Sequence, residues 1–474
     1  MKHHAKFYID GEWRDPQGDQ TLAVINPATE SPTAEITLGN EKDIDRAVAA
    51  ARGAFAEWSN TPLEERADYL TKITALYQSR IPDLAAAVTT EMGAPSWLAT
   101  SAQAPAGLAH LATALEVAKT FNWSSAHGAS RIVKEPIGVC GFITPWNWPL
   151  NQLTAKFAPA MLTGCTIVHK PSEIAPLSSL IFAEICHEAG LPAGVYNLVN
   201  GDGPTVGAAI SSHPDIDMVS FTGSTRAGVD VAEKAAGSVK RVHQELGGKS
   251  ANIILDDADF NAAIKGGVST MMMNSGQSCT APSRLLAPNA HIDEIVSIAV
   301  EAANAWTPGP PESNAKMGPV VSESQWNKIQ SLINIGVGEG ARLACGGPGK
   351  PEGLETGYYV RPTVFTAVKN DMTIAREEIF GPVLCVIGYD TEEEAIEIAN
   401  DTEYGLAGYV SGGDLERARR VASKIRAGYV TINGAGMDFT VPFGGYKHSG
   451  NGREFGAHAF DEFLEVKSIV GYGA

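Results

Sequence analysis

Short apolar runs alternate with stretches of helical spacing over most of this chain, and few folds accommodate that pattern. The first series of predicted strands covers residues 138–143, 166–169, 196–199 and 218–221. Helical patterns lie between these strands, over residues 152–162, 176–189 and 204–211. Strands and helices in regular succession are typical of βαβ units, which build parallel sheets. The sequence therefore predicts an α/β fold.

The same alternation begins again after Gly247-Gly248. A strand is predicted over residues 252–255 and a helix over residues 260–273, and a further βα series runs to about Thr440. No internal repeat or low-complexity segment is evident. The simplest interpretation is two α/β domains joined near the glycine pair, since 474 residues accommodate two to four domains of roughly 100–200 residues each.

Composition and charge exclude several classes of function. Hydrophobic residues make up 44% of the chain and charged residues 19%, as in globular proteins with large cores. The formal net charge of −18 repels phosphate backbones, so we expect no nucleic-acid partner. No stretch approaches the roughly 18 apolar residues of a membrane span, and the basic start has no apolar run behind it. We therefore expect no membrane segment and no signal peptide, and a cytoplasmic location.

Six cysteines are scattered along the chain without a CxxC pair, which argues against a disulfide framework or a zinc site. The pair His3-His4 is interpreted as a loose terminus or a tag remnant, so no metal is predicted. Cys140 lies among apolar residues, as buried cysteines do. Cys279 instead lies in the polar segment 276–280, where a nucleophile would have access and nearby N–H groups to stabilise a thiolate. An inert loop cysteine is the alternative.

Two other polar residues occupy positions suited to chemistry. Glu245 precedes Gly247-Gly248, where a carboxylate can enter a cleft between domains and act as a general base; a solvated surface glutamate is the alternative. Asn147 follows a predicted strand, and ligands bind at the carboxyl ends of strands in open α/β sheets. Its amide could donate to an oxyanion, although asparagine is also common in turns.

Two glycine clusters and one charged segment are candidates for holding a nucleotide. Residues 219–228 have the order strand, glycine turn and helix start, where backbone N–H groups favour phosphate. Their spacing is GxxxxG rather than the common GxGxxG, and a rival glycine cluster at residues 201–203 follows another strand. Lys170 and Glu173, at the end of a third strand, could hold ribose hydroxyls or be ordinary surface charges.

Taken together, these segments resemble the aldehyde dehydrogenase superfamily. Seven motifs occur in the order found in that family and span nearly the whole chain. They are Pro145-Trp146-Asn147, Lys170-Pro171-Ser172-Glu173, Phe221-Thr222-Gly223-Ser224, Glu245-Leu246-Gly247-Gly248-Lys249, Gly276-Gln277-Ser278-Cys279, Glu378-Ile379-Phe380-Gly381-Pro382 and Pro442-Phe443-Gly444-Gly445. One motif alone could be chance, whereas seven in order make the resemblance specific.

The resemblance implies a role for each candidate catalytic residue. Cys279 resembles the family nucleophile, whose thiolate attacks the aldehyde carbon. The Asn147 amide and the Cys279 backbone N–H would hold the resulting oxyanion, and one such donor contributes roughly 3–4 kcal/mol in a comparable site. Glu245 resembles the base that activates water to hydrolyse the thioester. Because CoA-acylating branches of the family generally lack this glutamate, hydrolysis to a free acid is favoured over transfer to CoA.

The resemblance also implies a nicotinamide cofactor and the residues that bind it. Ser224 would bind pyrophosphate at the helix start, and Glu173 would face the adenosine ribose. The full set implied is Trp146, Lys170, Glu173, Gly203, Gly207, Phe221, Gly223, Ser224, Gly228, Leu246, Glu378 and Phe380. A carboxylate near the ribose 2′-OH repels a 2′-phosphate, so NAD is favoured, while Lys170 keeps NADP possible.

The fold implied by the resemblance has three parts. They are a Rossmann-type cofactor domain (residues 1–116 and 137–246), an α/β catalytic domain (residues 247–441) and a small β oligomerisation element (residues 117–136 and 459–474). Segments 131–135 and 465–470 look like exposed, partly apolar strands, and such edges invite pairing with another chain. The resemblance thus implies a homodimer or a homotetramer.

The substrate entrance, by the same resemblance, is shaped by Trp148, Gln152, Ala155, Ser278, Thr280 and the loop 436–440, which contains Phe439. Trp148 and Phe439 favour an apolar or aromatic aldehyde, although they could simply form the tunnel wall. No arginine lies among these positions to hold a distal carboxylate, which argues against an acidic semialdehyde. Two alternatives to a hydrolytic dehydrogenase are a CoA-acylating dehydrogenase and a non-catalytic binding or structural relative.

Overall fold

The computed structural model describes residues 3–473, and within them the strands form four sheets. The largest sheet has eight strands, in the spatial order Gly450–Asn451, Arg241–Glu245, Met218–Thr222, Val139–Ile143, Thr166–Lys170, Tyr196–Leu198, Phe7–Ile9 and Glu12–Arg14. The five strands from Arg241–Glu245 to Tyr196–Leu198 are parallel, and the edge strands are antiparallel. The α/β fold predicted from the alternating pattern is confirmed.

The winding of this first sheet reverses direction at one place. Numbered along the chain from Val139–Ile143, its five parallel strands lie in the spatial order 3-2-1-4-5. The reversal falls between Val139–Ile143 and Met218–Thr222, which pair in parallel. At such a switch point the two following loops diverge, and a crevice opens at the carboxyl ends of the strands. The segments after these two strands contain Asn147 and Ser224.

The second sheet has seven strands, in the order Arg342–Cys345, Thr363–Thr366, Val383–Tyr389, Arg284–Pro288, Ala251–Ile254, Ala407–Ser411 and Tyr429–Ile432. All neighbours in it are parallel except the edge strand Arg342–Cys345. Residues 246–250 connect the end of Arg241–Glu245 in the first sheet to the start of Ala251–Ile254 in the second. The glycine pair therefore joins the two sheets, where the alternation in the sequence restarts.

Helices cover both sheets. Those of eight or more residues among the described positions are Glu41–Trp58, Leu63–Ser79, Ile81–Met92, Ala104–Thr120, Pro149–Thr163, Leu177–Glu188, Thr225–Ala235, Phe260–Met272, Ile292–Asn304, Glu323–Gly338, Glu392–Asn400 and Leu415–Ala422. Strand Val139–Ile143 is buried at every position, and helix Pro149–Thr163 at nearly every one. Strands covered on both faces are apolar throughout rather than alternating, which is why the predicted strands were continuous apolar runs.

Two smaller sheets complete the described residues. Leu464–Ile469 pairs antiparallel with Ser130–Pro136, which pairs with Ser124–His127. The two segments expected to form an oligomerisation element thus lie side by side, with Val466 exposed on the outer strand. The fourth sheet is the antiparallel pair Thr21–Asn26 and Ser31–Thr37.

Two sequence-based expectations differ from the structure. The helix expected over residues 204–211 is a π-helical turn, Gly203–Gly207, followed by Ala208–Ser212. The stretch is therefore helical, but its first five residues have the π hydrogen-bonding pattern. Pro204 is tolerated because it lies in the first helical turn, where a backbone N–H has no partner within the helix. His3 is also not part of a loose terminus, because its ring stacks on Trp13 with centroids 4.2 Å apart.

No helix within residues 3–473 combines the length and apolar character needed to cross a membrane. The same residues contain no group of three or more His, Cys, Asp or Glu side chains placed to hold a metal ion.

Candidate active site

The loop that carries Cys279 has an unusual backbone. Helix Phe260–Met272 is followed by Asn274, Ser275 and Gly276, which are left-handed at φ values of 55°, 56° and 74°. A Cβ at Gly276 would lie 2.2 Å from the carbonyl oxygen of Gly381, so only glycine fits. Such strained stretches are held by the surrounding structure and cluster at functional sites. The loop delivers Cys279 to the start of the second sheet, where its half-buried side chain packs in an aromatic cluster with Phe443 and Phe455.

Asn147 is fixed beside this loop. Its side-chain nitrogen donates to the carbonyl oxygen of Gln277 at 3.2 Å. Its own carbonyl oxygen accepts from Gln103 Nε2 at 3.0 Å and from Asn274 Nδ2 at 2.9 Å. An amide nitrogen carries two hydrogens, so the bond to Gln277 leaves one for a ligand. The structure brings Asn147 and the cysteine loop together, as the sequence implied.

Glu245 ends strand Arg241–Glu245 of the first sheet and is only 1% exposed. The solvated surface glutamate considered above is thus not what the fold contains. Its Oε1 has no hydrogen-bond partner among the described residues. Burial, and then the charge of Glu454, hold the pKa of the Glu245 carboxyl well above its ordinary value. An unpartnered buried carboxylate with a raised pKa is suited to accepting a proton.

A buried ion pair lies next to Glu245, and sequence analysis missed it. Lys156, on helix Pro149–Thr163, bonds to Glu454, and both side chains are almost fully buried. Lys156 and Arg453 lower the pKa of Glu245, while Glu454 raises it. The one local signal was a lysine inside an apolar helix. Its partner is 298 positions away, so spacing could not reveal it.

The thiol of Cys279 is not poised as a thiolate in this structure. Burial, followed by the charges of Glu245, Glu378 and Glu454, raises the pKa of the thiol above its ordinary value. Burial disfavours a charged sulfur, and each of these carboxylates opposes a second negative charge. The Cys279 backbone N–H acts in the opposite direction and lowers the pKa. The role of Cys279 as a nucleophile stays a prediction.

Glu378 and Phe380 lie against the same centre. Glu378 Oε1 accepts a hydrogen bond from the Gly248 backbone N–H at 2.8 Å. A Cβ at Gly247 would lie 2.7 Å from Glu378 Oε2, so the glycine permits this approach. The Phe380 ring meets Trp146 edge-on, with centroids 5.4 Å apart. The loop that carries Glu378 and the segment that carries Trp146 thus meet at the Gly247-Gly248 connection between the two sheets.

The glycine turn after Met218–Thr222 forms a cradle at a helix start. Ser224 is the N-cap of helix Thr225–Ala235 and accepts from the Ala227 N–H at 3.3 Å, with its side chain exposed. A Cβ at Gly228 would lie 2.5 Å from Leu246 Cδ2, which explains the glycine at this helix turn. Thr222 Oγ1, which sequence analysis did not single out, is buried without a partner among the described residues.

The remaining nucleotide candidates lie at the neighbouring strand ends. Phe221 is buried near the end of its strand and packs under Gly223, whose Cβ would lie 2.5 Å from its ring. Gly203 faces open space, and Gly207 ends the π-helical turn with its N–H donating to the Asp202 carbonyl at 3.1 Å. The rival glycine cluster and the Gly223 turn therefore both follow strands of the first sheet, with open space at Gly203 and a close approach to Phe221 at Gly223.

Lys170 and Glu173 form an ion pair. Lys170 is buried at the end of strand Thr166–Lys170, and its Nζ lies 3.0 Å from Glu173 Oε2. Glu173 keeps about a quarter of its side chain exposed, at 27%. The interpretation of both residues as ordinary surface charges fails for Lys170. The pair leaves the Glu173 carboxylate partly exposed and partly neutralises the Lys170 ammonium.

A cavity of about 900 Å³ reaches Cys279. Its walls include each pocket residue expected from the sequence, namely Trp148, Gln152, Ser278, Thr280 and Phe439. Trp148 Nε1 donates to Ser278 Oγ at 2.9 Å, and the Thr280 carbonyl oxygen accepts a hydrogen bond from the Tyr409 hydroxyl at 2.8 Å. Ala155 lies in the aromatic cluster beside Cys279 rather than on this wall.

Several further wall residues were not expected from the sequence. They are Asn151, Tyr409, Tyr429, Phe443 and Phe455, all of which face the same cavity, whereas Met437 belongs to the expected loop 436–440. Phe443 was quoted within a motif, but nothing in its sequence context indicated a wall position. No lysine, arginine or histidine of the described residues lines the cavity.

Comparison with known proteins agrees with this geometry. Residues 13–469 match the model of the aldehyde dehydrogenase family. A 3-succinoylsemialdehyde-pyridine dehydrogenase from a Pseudomonas species is 55% identical over 474 residues, which is 100% of this chain and 99% of that protein.

Solved structures are similar over their whole length. A mutant of aldehyde dehydrogenase C from Pseudomonas syringae, crystallised with NAD+ and octanal, is 53% identical with a TM-score of 0.98, over 99% of this chain and 97% of that chain. Betaine aldehyde dehydrogenase from Staphylococcus aureus, crystallised with NAD+, is 37% identical with a TM-score of 0.96, over 100% and 96% of the two chains.

Proposed function

The chain belongs to the aldehyde dehydrogenase family, and from that premise we propose that it oxidises an aldehyde to a carboxylic acid through a thioester on Cys279. It is an NAD(P)-dependent aldehyde dehydrogenase. The observation that carries the mechanism is that one site combines Cys279, the amide of Asn147 and the Glu245 carboxylate, whose Oε1 has no partner among the described residues. A thiol, an oxyanion donor and a base are the groups that this reaction requires.

The residues present fit a bound dinucleotide. The Ser224 helix start offers backbone N–H groups to a pyrophosphate, and the adjoining Thr222 hydroxyl is buried without a partner among the described residues. Glu378 and Phe380 would hold the nicotinamide ribose and ring beside Cys279. The nicotinamide, when bound, supplies the acceptor for the hydride that leaves the substrate carbon.

In the first step, Cys279 adds to the aldehyde. The thiol loses its proton to a nearby base. Glu245 is the candidate for this base, because it is the carboxylate whose charge most strongly affects the thiol. The sulfur forms a bond to the carbonyl carbon, and the carbonyl electron pair moves to oxygen. The free N–H of Asn147 and the Cys279 backbone N–H stabilise that alkoxide. Loss of hydride from carbon then leaves a thioester.

In the second step, water hydrolyses the thioester. Glu245 takes a proton from water, whose oxygen attacks the thioester carbonyl, and the bond between carbon and sulfur breaks. The carboxylic acid leaves and the thiol is restored. Glu245 also disfavours a CoA-acylating reaction, because a buried base beside the thioester activates water directly.

The substrate is proposed to be an apolar or aromatic aldehyde. Trp148, Phe439, Phe443 and Phe455 give the cavity an aromatic wall, and no basic side chain of the described residues lines it to hold a carboxylate tail. The relatives support this assignment, since one is named for a pyridine semialdehyde and another was crystallised with octanal.

NAD is proposed as the preferred cofactor. Glu173 would face the adenosine ribose, where a carboxylate accepts a hydrogen bond from a 2′-OH but repels a 2′-phosphate. Its ion pair with Lys170 also weakens the attraction of that ammonium for phosphate. Both relatives named above with a bound cofactor carry NAD+.

A homodimer or homotetramer of three-part subunits is also proposed, with the domain boundaries given above. The strand Leu464–Ile469 lies at the edge of its sheet and exposes Val466 and Ile469. Exposed apolar edge strands pair readily with another chain. This arrangement and a cytoplasmic location both follow from the sequence-based reasoning.

The decisive experiment is a panel of alkyl, aromatic and acidic aldehydes assayed for cofactor reduction with NAD and with NADP. We expect turnover of the apolar and aromatic aldehydes with a free acid as product, and higher kcat/KM with NAD. Acyl-CoA as the main product in the presence of CoA would reject the hydrolytic mechanism. Cofactor binding without turnover of any aldehyde would indicate a non-catalytic relative.

A further inference from the structure

Two adjacent amides interrupt the aromatic wall of the substrate cavity. Asn151 and Gln152 stand at the start of helix Pro149–Thr163, and both line the cavity that reaches Cys279. Gln152 is only 5% exposed. A buried donor without an acceptor costs about 1–3 kcal/mol, so an amide nitrogen left free beside a cavity calls for a ligand that accepts.

Asn151 is held in one orientation from behind the wall. Its Oδ1 receives a hydrogen bond from His110 Nε2 at 2.8 Å. The His110 ring lies between Phe439 and Phe455, at centroid distances of 4.8 and 4.5 Å. Burial lowers the pKa of His110 to about 4, so the ring is neutral at physiological pH and donates from one nitrogen only.

The amide nitrogens are the atoms that remain for a molecule in the cavity. The oxygen of Asn151 is occupied by His110, and that of Gln152 is sealed against the protein. No hydrogen bond joins either nitrogen to a described residue. Amide nitrogens donate, so their ligand must accept.

We propose that Asn151 and Gln152 form a polar subsite that selects aldehydes carrying an uncharged hydrogen-bond acceptor in the tail, such as a ketone oxygen or a heteroaromatic nitrogen. The absence of basic residues among the described lining residues excludes a carboxylate as that acceptor, since the lining offers it no counter-charge. His110 is a positioning residue that sets the direction of the Asn151 amide. The inference rests on the proposed aldehyde oxidation and specifies its substrate class.

Matched aldehydes test the subsite. One pair has a phenyl or a pyridyl ring on the same chain, and the other has a methylene or a ketone at one chain position, assayed at mildly alkaline pH where the pyridine is neutral. We expect the wild-type protein to favour the acceptor-bearing member of each pair by about tenfold in kcat/KM, as one or two hydrogen bonds supply. Equal kcat/KM values within both pairs would overturn the proposal.

Variants locate the preference. Asn151→Leu and Gln152→Met replace the amides by apolar side chains of similar length and remove the donors, so each should reduce the ratio between matched aldehydes toward 1. His110→Phe should also reduce it, and His110→Gln should restore part of it by supplying a donor. Thr270→Val is the control, because the Thr270 hydroxyl lines the same cavity but is already bonded to Gly266.

The ratio of the kcat/KM values for two matched aldehydes, measured on one preparation, does not depend on the fraction of protein that is folded. A variant that folds poorly therefore still tests the subsite. A ratio unchanged in both amide variants would assign the preference elsewhere and reject the subsite. If no aldehyde were oxidised, the proposed function would fail on its own. The alcohol analogues of the phenyl and pyridyl aldehydes, compared by calorimetry, would then test the subsite, and equal affinities would reject it.

Discussion

Gly248 lies directly against the backbone of Cys279: a Cβ at this glycine would stand 2.4 Å from the Cys279 carbonyl oxygen. The Gly248 N–H simultaneously donates to Glu378 Oε1 at 2.8 Å. One residue without a side chain therefore sets the spacing between the candidate nucleophile and a carboxylate of the proposed nicotinamide site.

Gly248→Ala should displace the Cys279 loop, since the close atom is backbone and cannot rotate away. We expect kcat to fall by at least about tenfold, because a misplacement of 1 Å at a reacting group can cost about a hundredfold. Steady-state kinetics with a turned-over aldehyde would measure this. Gly237→Ala is the matched control, as a Cβ there meets no atom within 4 Å. Similar kcat values in both variants would contradict the role of the close contact.

Cys279→Ala should abolish aldehyde oxidation, with kcat reduced by at least about a thousandfold, because no other group can form the thioester. NAD binding should be retained, since most of the nucleotide candidates follow strands of the first sheet and none of their proposed contacts uses the Cys279 sulfur. Cofactor reduction and calorimetric titration with NAD measure the two properties. Cys345→Ala, at another half-buried cysteine, serves as the control. Normal turnover by the Cys279 variant would refute the central assignment.

Glu245→Gln should slow hydrolysis of the thioester more than it slows thioester formation. The expected record is a burst of NADH, about one per active site, followed by slow turnover. In the unaltered protein, hydrolysis requires the Glu245 carboxylate, whose pKa is raised. Activity should therefore fall as pH decreases through that raised pKa and rise above it. Steady-state turnover equal to wild type in the glutamine variant would remove Glu245 from the mechanism.

The ion pair of Lys156 and Glu454 should control that pH profile. Lys156→Met removes a positive charge that lowers the pKa of Glu245, so the rise in activity should move to higher pH. Glu454→Gln removes a charge that raises the same pKa, so the rise should move to lower pH. Breaking a buried pair also destabilises a protein by about 3–5 kcal/mol, which thermal unfolding would detect. Shifts of the two profiles in the same direction would show that the pair does not act on Glu245 electrostatically.

Local sequence patterns predicted much of the fold. The continuous apolar runs predicted strands such as Val139–Ile143 and Thr166–Lys170 because a strand buried on both faces is apolar at every position. The ordered motifs identified Cys279, Glu245 and Asn147 as candidates, and each lies where chemistry could use it. The segment Gly203–Gly207 is helical, but its π hydrogen-bonding pattern was not predicted, because apolar spacing does not distinguish a π-helical turn from an α-helical one.

Tertiary structure alone decided the electrostatics and the shape of the site. The ion pair of Lys156 and Glu454 joins residues 298 positions apart, and the hydrogen bond between His110 and Asn151 joins residues 41 positions apart. The sequence determined which residues are available and which local conformations they adopt, because spacing and turn chemistry act over a few residues. Folding determined that the charges of Glu245, Glu378 and Glu454 act on Cys279 and that the amides of Asn151 and Gln152 face its cavity. The pKa of a buried group and the lining of a cavity depend on burial and on contacts between distant residues. Neighbours along the chain do not determine them.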